Sequence, residues 1–315
     1  MRSTRITTLL LALSLTACCF TPPTPEASAV GGAAPSTEPA LRDLRRTHVT
    51  TVFSEADHAP APPPPSGLLE LVQYQAPLGA NRAYVTPVQA GPRRPAIVWI
   101  HGGMDFGLDS FLWEDAERGN DQSGRAFREA GIVEMYPSFR GSHDNPGRAE
   151  CFFGEVEDVI AAAEFLATRA DVDPTRIYLG GHSTGGTLAM LIAESTDRFR
   201  GVIALGPIED VRGYSACLSM HAPEDEIFMR VPIEFVSEIR TPTFIIEGGL
   251  NANAESARAI YQERGSAPVT LIVVPGADHF SVIAPATEVA AQAILADTGA
   301  TSALAITEAA IRARL

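Results

Sequence analysis

A serine set between glycines, in Gly181-His182-Ser183-Thr184-Gly185, constrains this chain more than any other stretch. It follows the β-branched, apolar run Arg176-Ile177-Tyr178-Leu179-Gly180 and opens into Thr187-Leu188-Ala189-Met190-Leu191-Ile192-Ala193, which reads as a helix. The serine therefore falls on a strand-to-helix turn. Small residues on both sides let the backbone bend sharply there, which lifts the hydroxyl above the sheet edge and aims the first helical N–H groups at whatever it attacks. A G-x-S-x-G pentapeptide alone also marks ordinary tight turns, so the flanking sequence has to decide.

The flanks supply two more signals at strand ends. Pro95-Ala96-Ile97-Val98-Trp99-Ile100 reads as a buried strand that runs into His101-Gly102-Gly103, where bare backbone amides can face a negatively charged oxygen. Val269 to Val274 is another strand, and the loop after it, Gly276-Ala277-Asp278-His279-Phe280, carries a histidine. Taken alone His279 is an ordinary surface or structural histidine, and His101 is better read as shaping its loop than as a base. Together the three give the order oxyanion loop, serine, histidine, each at the end of a predicted parallel strand, which are the parts nucleophilic acyl transfer uses.

Coarse periodicity predicts an α/β domain. Leu68 to Gln75 and Arg82 to Val88 open as an antiparallel pair, followed by buried strands over 96–100, 131–136, 177–179, 202–205, 243–247 and 269–274. Helical spacing covers 156–169, 184–194, 254–263 and 288–296, and 301–315 is helix-forming but short. Strands separated by crossover helices give a mostly parallel, doubly covered sheet with catalytic groups at the strand C-terminal ends. The segment between Leu205 and Thr243 is short, so any cap over the site is a small insertion.

These motifs resemble the α/β-hydrolase superfamily, in particular prolyl oligopeptidase (S9)-type catalytic domains. The resemblance rests on Ile100-His101-Gly102-Gly103, Tyr136-Pro137-Ser138-Phe139-Arg140-Gly141-Ser142, Gly154-Glu155-Val156-Glu157-Asp158-Val159, Asp173-Pro174-Thr175-Arg176-Ile177, the serine turn, Thr241-Pro242-Thr243 and Pro275-Gly276-Ala277-Asp278-His279-Phe280, and covers about residues 68 to 298. It implies Ser183 as nucleophile, His279 as base, and the backbone N–H groups of Thr184 and of Gly103 or Met104 as oxyanion donors, each worth roughly 3 kcal/mol. One departure stands out: where the family usually carries an aspartate, after Thr243 to Glu247, this chain has Asn251, which cannot supply the charge that stabilises an imidazolium. Three substitutes are in reach of the sequence. Asp210, after the strand 202–205, is the first choice, since some α/β-hydrolases take their acid there. Glu247 is second and Glu209 third; a turn cap for Asp210 and a surface ion pair for Glu247 are the ordinary alternatives.

The front of the chain carries a separate message. Met1-Arg2-Ser3-Thr4-Arg5 is a short basic segment and Ile6 to Ala17 an apolar run too short to anchor in a bilayer, so 1–17 reads as a signal peptide. Leu15-Thr16-Ala17 before Cys18 looks like a bacterial lipobox, which implies cleavage, lipidation at Cys18 and a protein exported to the cell envelope; cleavage near Ala17 with Cys18 and Cys19 as bystanders is the alternative. Residues 18–66, rich in proline, alanine and threonine, read as a largely disordered tether, within which 41–53 has a mixed character open to a short docked helix or strand. The catalytic domain is then 67–315, a length that suits one core.

The formal charge is −14, and −16 without the signal, which holds Arg2 and Arg5 and no acid. That balance argues against nucleic acid and against electrostatic capture by anionic lipid, leaving a covalent lipid as the membrane contact. Cys151 and Cys217 are free to pair in an oxidising compartment, or to stay as two thiols. No cluster has metal-ligand spacing, Asp105, Asp109, Glu114 and Asp115 reading as a solvated loop, and the chemistry calls for no cofactor. Ser183 attacks an ester or amide carbonyl, and His279 shuttles the proton. S9-like peptidases restrict access with a large accessory domain for which this chain has no room, so modest esters are the expected substrates and short peptides second. Phe106, Phe111, Trp113 and Met220 are candidates for an apolar acyl pocket, or simply pack their loops. A binding lipoprotein that keeps the fold without turnover is the alternative of another class.

Overall fold

The computed structural model describes residues 40–54, 58–104, 106–214, 222–250 and 253–315, all within one compact unit, Pro39–Leu315. Among the described residues the apolar runs become eight strands: β1 (Glu70–Ala76), β2 (Gly79–Val85), β3 (Arg94–Ile100), β4 (Val133–Pro137), β5 (Val172–His182), β6 (Val202–Leu205), β7 (Thr243–Gly248) and β8 (Val269–Val274). They form one sheet in the order β1-β2-β4-β3-β5-β6-β7-β8. β1, β2 and β4 pair antiparallel, and every pairing from β4 to β8 is parallel.

The helices are α1 (Leu41–Thr47), α2 (Arg125–Glu129), α3 (Glu155–Thr168), α4 (Thr184–Ser195), α5 (Glu224–Phe228), α6 (Pro232–Phe235), α7 (Asn253–Glu263), α8 (Ile283–Ala296) and α9 (Glu308–Arg312). Alternation along the strands sorts the core into two layers. From β3, Ala96, Val98 and Ile100 point to one layer with α3, α4 and α7, while Ile97 and Trp99 point to the other with α2, α8 and α9. Coverage on both faces is why β4, β6 and β7 are buried at every residue, as parallel strands require. The edge strand β8 has a mixed pattern instead.

Two helices depart from the sequence reading. α8 starts at Ile283 rather than at residue 288, because Pro285 falls in its first turn, where the missing N–H breaks no helical bond. Within 301–315 only α9 is helical; the Thr307 side chain accepts the Ala310 N–H at its start, and Ile311 is buried. α5 and α6 belong to the insertion between β6 and β7.

The domain also begins earlier than residue 67, so 18–66 is not a tether throughout. α1 lies against the layer that contains α4, with Leu41 fully buried. The Arg45 guanidinium donates to the carbonyls of Phe152 (3.1 Å), Phe153 (2.8 Å) and Met229 (2.6 Å). Thr50 Oγ1 and the Thr51 N–H donate to the Glu226 carboxylate, which also pairs with Arg230 at 3.0 Å. Further along, the Ala59 carbonyl meets His143 Nδ1 at 2.8 Å and that of Pro62 accepts the Tyr84 hydroxyl. Residues 40–53 are thus a strap that ties the 150–153 loop to the cap insertion. Arg45→Ala would leave the Phe152 and Met229 carbonyls without their donor and the Phe153 carbonyl with only the Val156 N–H, and a urea melt should read a loss of about 3 kcal/mol. A loss below about 0.5 kcal/mol would mean that the strap contributes nothing to the fold.

Candidate active site

β5 ends and α4 begins at Ser183, whose backbone sits at φ 56°, ψ −116°. Non-glycine residues avoid this region at a cost of about 1–3 kcal/mol, so the surrounding structure must hold it. Part of that hold is the Ser183 N–H, which donates to the Leu205 carbonyl on β6 at 2.8 Å. Part is close packing: a Cβ at Gly185 would come within 2.2 Å of the Ile100 carbonyl oxygen, so only glycine lets α4 start this near β3.

The residue after Leu205 brings in the histidine. His279 lies over Gly206, where a Cβ would come within 2.5 Å of its ring Cε1, so the serine and the imidazole hang over the same stretch of β6 backbone. His279 Nδ1 lies 2.8 Å from Glu247 Oε2. Both side chains are buried, and the other carboxylate oxygen accepts the Gly248 N–H at 2.6 Å. A carboxylate can only accept, so the imidazole proton sits on Nδ1 and Nε2 is left with a free lone pair.

Glu247 reaches the histidine through sheet register. Parallel pairing puts Glu247 opposite Val273 and Gly248 opposite Val274, and the loop leaving β8 carries His279 back over the end of β7. Asp210, the first choice from the sequence, does not meet the imidazole. It caps the turn Val211–Gly213, accepting the Arg212 N–H at 2.9 Å and pairing with the Arg212 guanidinium. Glu209, the third choice, stands beside it with its carbonyl accepting from Ile233 N. Asn251 lies outside the described residues.

The residues expected to face an oxyanion lie at the start of α4 and in the loop after β3. Thr184 is the first residue of the helix, where N–H groups have no intrahelical partner. Its hydroxyl donates to the Gly103 carbonyl at 2.5 Å, which pins the loop beside the serine. Gly103 has φ 106° and is exposed, with Met104 next to it, whereas the Gly102 N–H is taken by Gln122 Oε1 at 3.1 Å. His101 has its ring nitrogens on the Gly102 and Gly107 carbonyls, at 2.6 and 2.8 Å, and so shapes the loop.

Beside the serine lies a cleft of about 600 Å³, lined by His101, Gly102, Gly103, Phe111, Ala116, Asn120, Gln122, His182, Ser183 and Phe280. Of the aromatic residues proposed from the sequence, only Phe111 is placed there. Phe106 packs edge-on against Phe139 and Phe152, and Trp113 against Tyr84; Met220 lies outside the described residues. Asp109 caps the turn Ser110–Leu112 and Asp115 pairs with Arg125. Cys151 is disulfide-bonded, while its expected partner Cys217, the lipidation candidate Cys18 and the signal segment lie outside the described residues.

Residues 118–297, more than half of the sequence, match the pattern of the prolyl oligopeptidase family. The chain belongs to that family. Family members need not be near relatives, and these are remote. An uncharacterized protein of Mycobacterium tuberculosis is 28% identical over 160 residues, 49% of this chain and 55% of its own. A puromycin-hydrolyzing peptidase of the same organism superposes with a TM-score of 0.57 at 21% identity, over 73% of this chain and 39% of that one. A hyperthermophilic esterase from the archaeon Pyrobaculum calidifontis superposes with a TM-score of 0.55 at 17% identity, over 81% and 88%. The chain spans about half the length of the curated relatives it matches.

Tyr214, Gln122 and His182 were missed as site residues from sequence. The Tyr214 phenol shares a hydrogen bond with the Thr187 hydroxyl at 2.9 Å and interacts with the Ser183 hydroxyl, and burial pushes its pKa up to about 12. A lone tyrosine or glutamine in a loop gives no signal in one sequence; only His182, inside the serine pentapeptide, stood where a signal was visible. In this prolyl oligopeptidase fold the acid assignment is testable. Glu247→Gln should lower kcat for an ester by about 10³- to 10⁴-fold, because the imidazole loses its orienting charge. Asp210→Asn should stay within about twofold, and the reverse ranking would restore Asp210 as the acid.

Proposed function

We propose that this protein is a serine hydrolase that cleaves uncharged esters, or amides, through an acyl-enzyme intermediate. The observation that carries the reading is the His279–Glu247 pair suspended over the peptide that also receives the Ser183 N–H. In the proposed cycle Ser183 Oγ attacks the carbonyl carbon while His279 Nε2 takes its proton. Glu247 stabilises the imidazolium, and the N–H groups of Thr184 and of Gly103 or Met104 hold the oxyanion. His279 then returns the proton to the leaving group, and water repeats the sequence to release the acid.

The cleft's lining argues for the substrate class. Phe111 and Phe280 offer apolar faces and none of its described lining is aspartate, glutamate or arginine, which suits a neutral, apolar group. Short peptides are the second reading, favoured by the family and by the likeness to a puromycin-hydrolyzing peptidase. A fluorophosphonate probe should label the purified protein and fail on Ser183→Ala, and p-nitrophenyl esters should turn over faster than aminoacyl anilides. The opposite ranking would make it a peptidase, and an unlabelled protein that binds a ligand would be a binding module.

We also propose export and lipid attachment at Cys18, on the strength of the basic and apolar segments before it. The protein expressed in bacteria should partition into a detergent phase and Cys18→Ser should not; equal partitioning of the two would end this proposal.

A further inference from the structure

His182 is fully buried beside the nucleophile, between the two loops that the proposed reaction needs in register. Its Nε2 lies 2.9 Å from the backbone carbonyl oxygen of His279, on the base loop. Its Nδ1 lies 3.0 Å from Gln122 Oε1, the same oxygen that accepts the Gly102 N–H of the oxyanion loop. Gln122 is itself held, its Nε2 donating to Asn120 Oδ1 at 2.9 Å and its carbonyl accepting the Trp99 indole N–H at 2.9 Å. The His182 ring is tilted against that of His279, centroids 4.4 Å apart, and lies 5.8 Å from that of Phe280.

We propose that His182 is a positioning residue that locks the base loop to the oxyanion loop. The inference rests on the serine-hydrolase reading of the site. Desolvation, and then the neighbouring His279, hold the His182 imidazolium down to about pKa 3, so the ring is neutral over the working range and carries no proton in the reaction. A neutral ring has one N–H. Both atoms facing the ring are acceptors, the His279 carbonyl at Nε2 and Gln122 Oε1 at Nδ1, the latter held in that orientation by the Gly102 N–H and by Asn120, so the single N–H bonds one loop while the ring packs against the other. Other ionisable groups around the ring are His279, whose side chain is on Glu247, and His101, whose nitrogens are on backbone carbonyls.

Three variants and two readouts test this. His182→Ala removes both contacts, His182→Gln keeps a donor near the Nε2 position, and His182→Asn keeps a polar group near Nδ1 only. His182→Ala should lower kcat and the rate of fluorophosphonate labelling by about 10²-fold, the scale of an ångström's misplacement, with KM within about twofold. His182→Gln should recover to within about tenfold of wild type, and His182→Asn should recover less. The acid limb of the pH–kcat profile should keep its position while the plateau falls. The second readout needs no activity: backbone hydrogen exchange over 276–282 and 101–104 should quicken in His182→Ala and slow again in His182→Gln.

Unchanged labelling in His182→Ala, a loss confined to KM, an acid limb that moves with the substitution, or unchanged exchange in both loops would each overturn the proposal. A His182→Ala protein that does not fold hands the decision to His182→Gln against His182→Asn, where equal labelling rates overturn it. A wild-type protein that takes no probe would instead refute the serine-hydrolase reading. The exchange data would then decide the loop-locking role by themselves.

Discussion

Everything at the site hangs from the backbone of Ser183. A serine at φ 56° exists only because the strand before it, the helix after it and the neighbouring strand leave it no other path. Its N–H is fixed on β6, and glycine at 185 lets α4 leave β5 in close contact with the end of β3. The turn brings the serine hydroxyl and the first N–H of the helix together at one place. The strain is local, and the buried strands on either side supply the rigidity that sustains it.

The sheet does the rest of the assembly by register. Four parallel pairings bring the ends of β3, β5, β6, β7 and β8 to one edge, so residues separated by about a hundred positions in sequence hang over the same backbone. Glu247 is the instructive case. As the last side chain before Gly248 it is a strand residue, more firmly held than a loop aspartate, and its second oxygen is already satisfied by the Gly248 N–H. A carboxylate so placed needs no help from the loop that follows.

Patterns that depend on neighbours in sequence were legible from the sequence, and patterns that depend on neighbours in space were not. The strands, the serine turn and the loop carrying His279 are local, and their apolar runs and glycines announced them. Asp210 looked better than Glu247 because it follows a strand in a loop, but its nearest partner is Arg212, two residues away, which no strand pattern reveals. The strap over 40–53 was hidden for the same reason. Its proline-flanked composition reads as linker, while its attachment depends on Arg45 finding the carbonyls of Phe152, Phe153 and Met229. That loop then reaches the site, since Phe152 stacks on Tyr214 at 5.6 Å and the Tyr214 hydroxyl meets Ser183.

A crystal structure of the protein inactivated by a fluorophosphonate tests the central claim most directly, because the phosphonyl group mimics the tetrahedral intermediate in place. The account predicts a bond from Ser183 Oγ to phosphorus, one phosphonyl oxygen within hydrogen-bonding distance of the Thr184 N–H and of Gly103 or Met104, and His279 Nε2 facing the leaving-group side with Nδ1 still on Glu247. A phosphonyl oxygen pointing into solvent, or an adduct on any other residue, would contradict it.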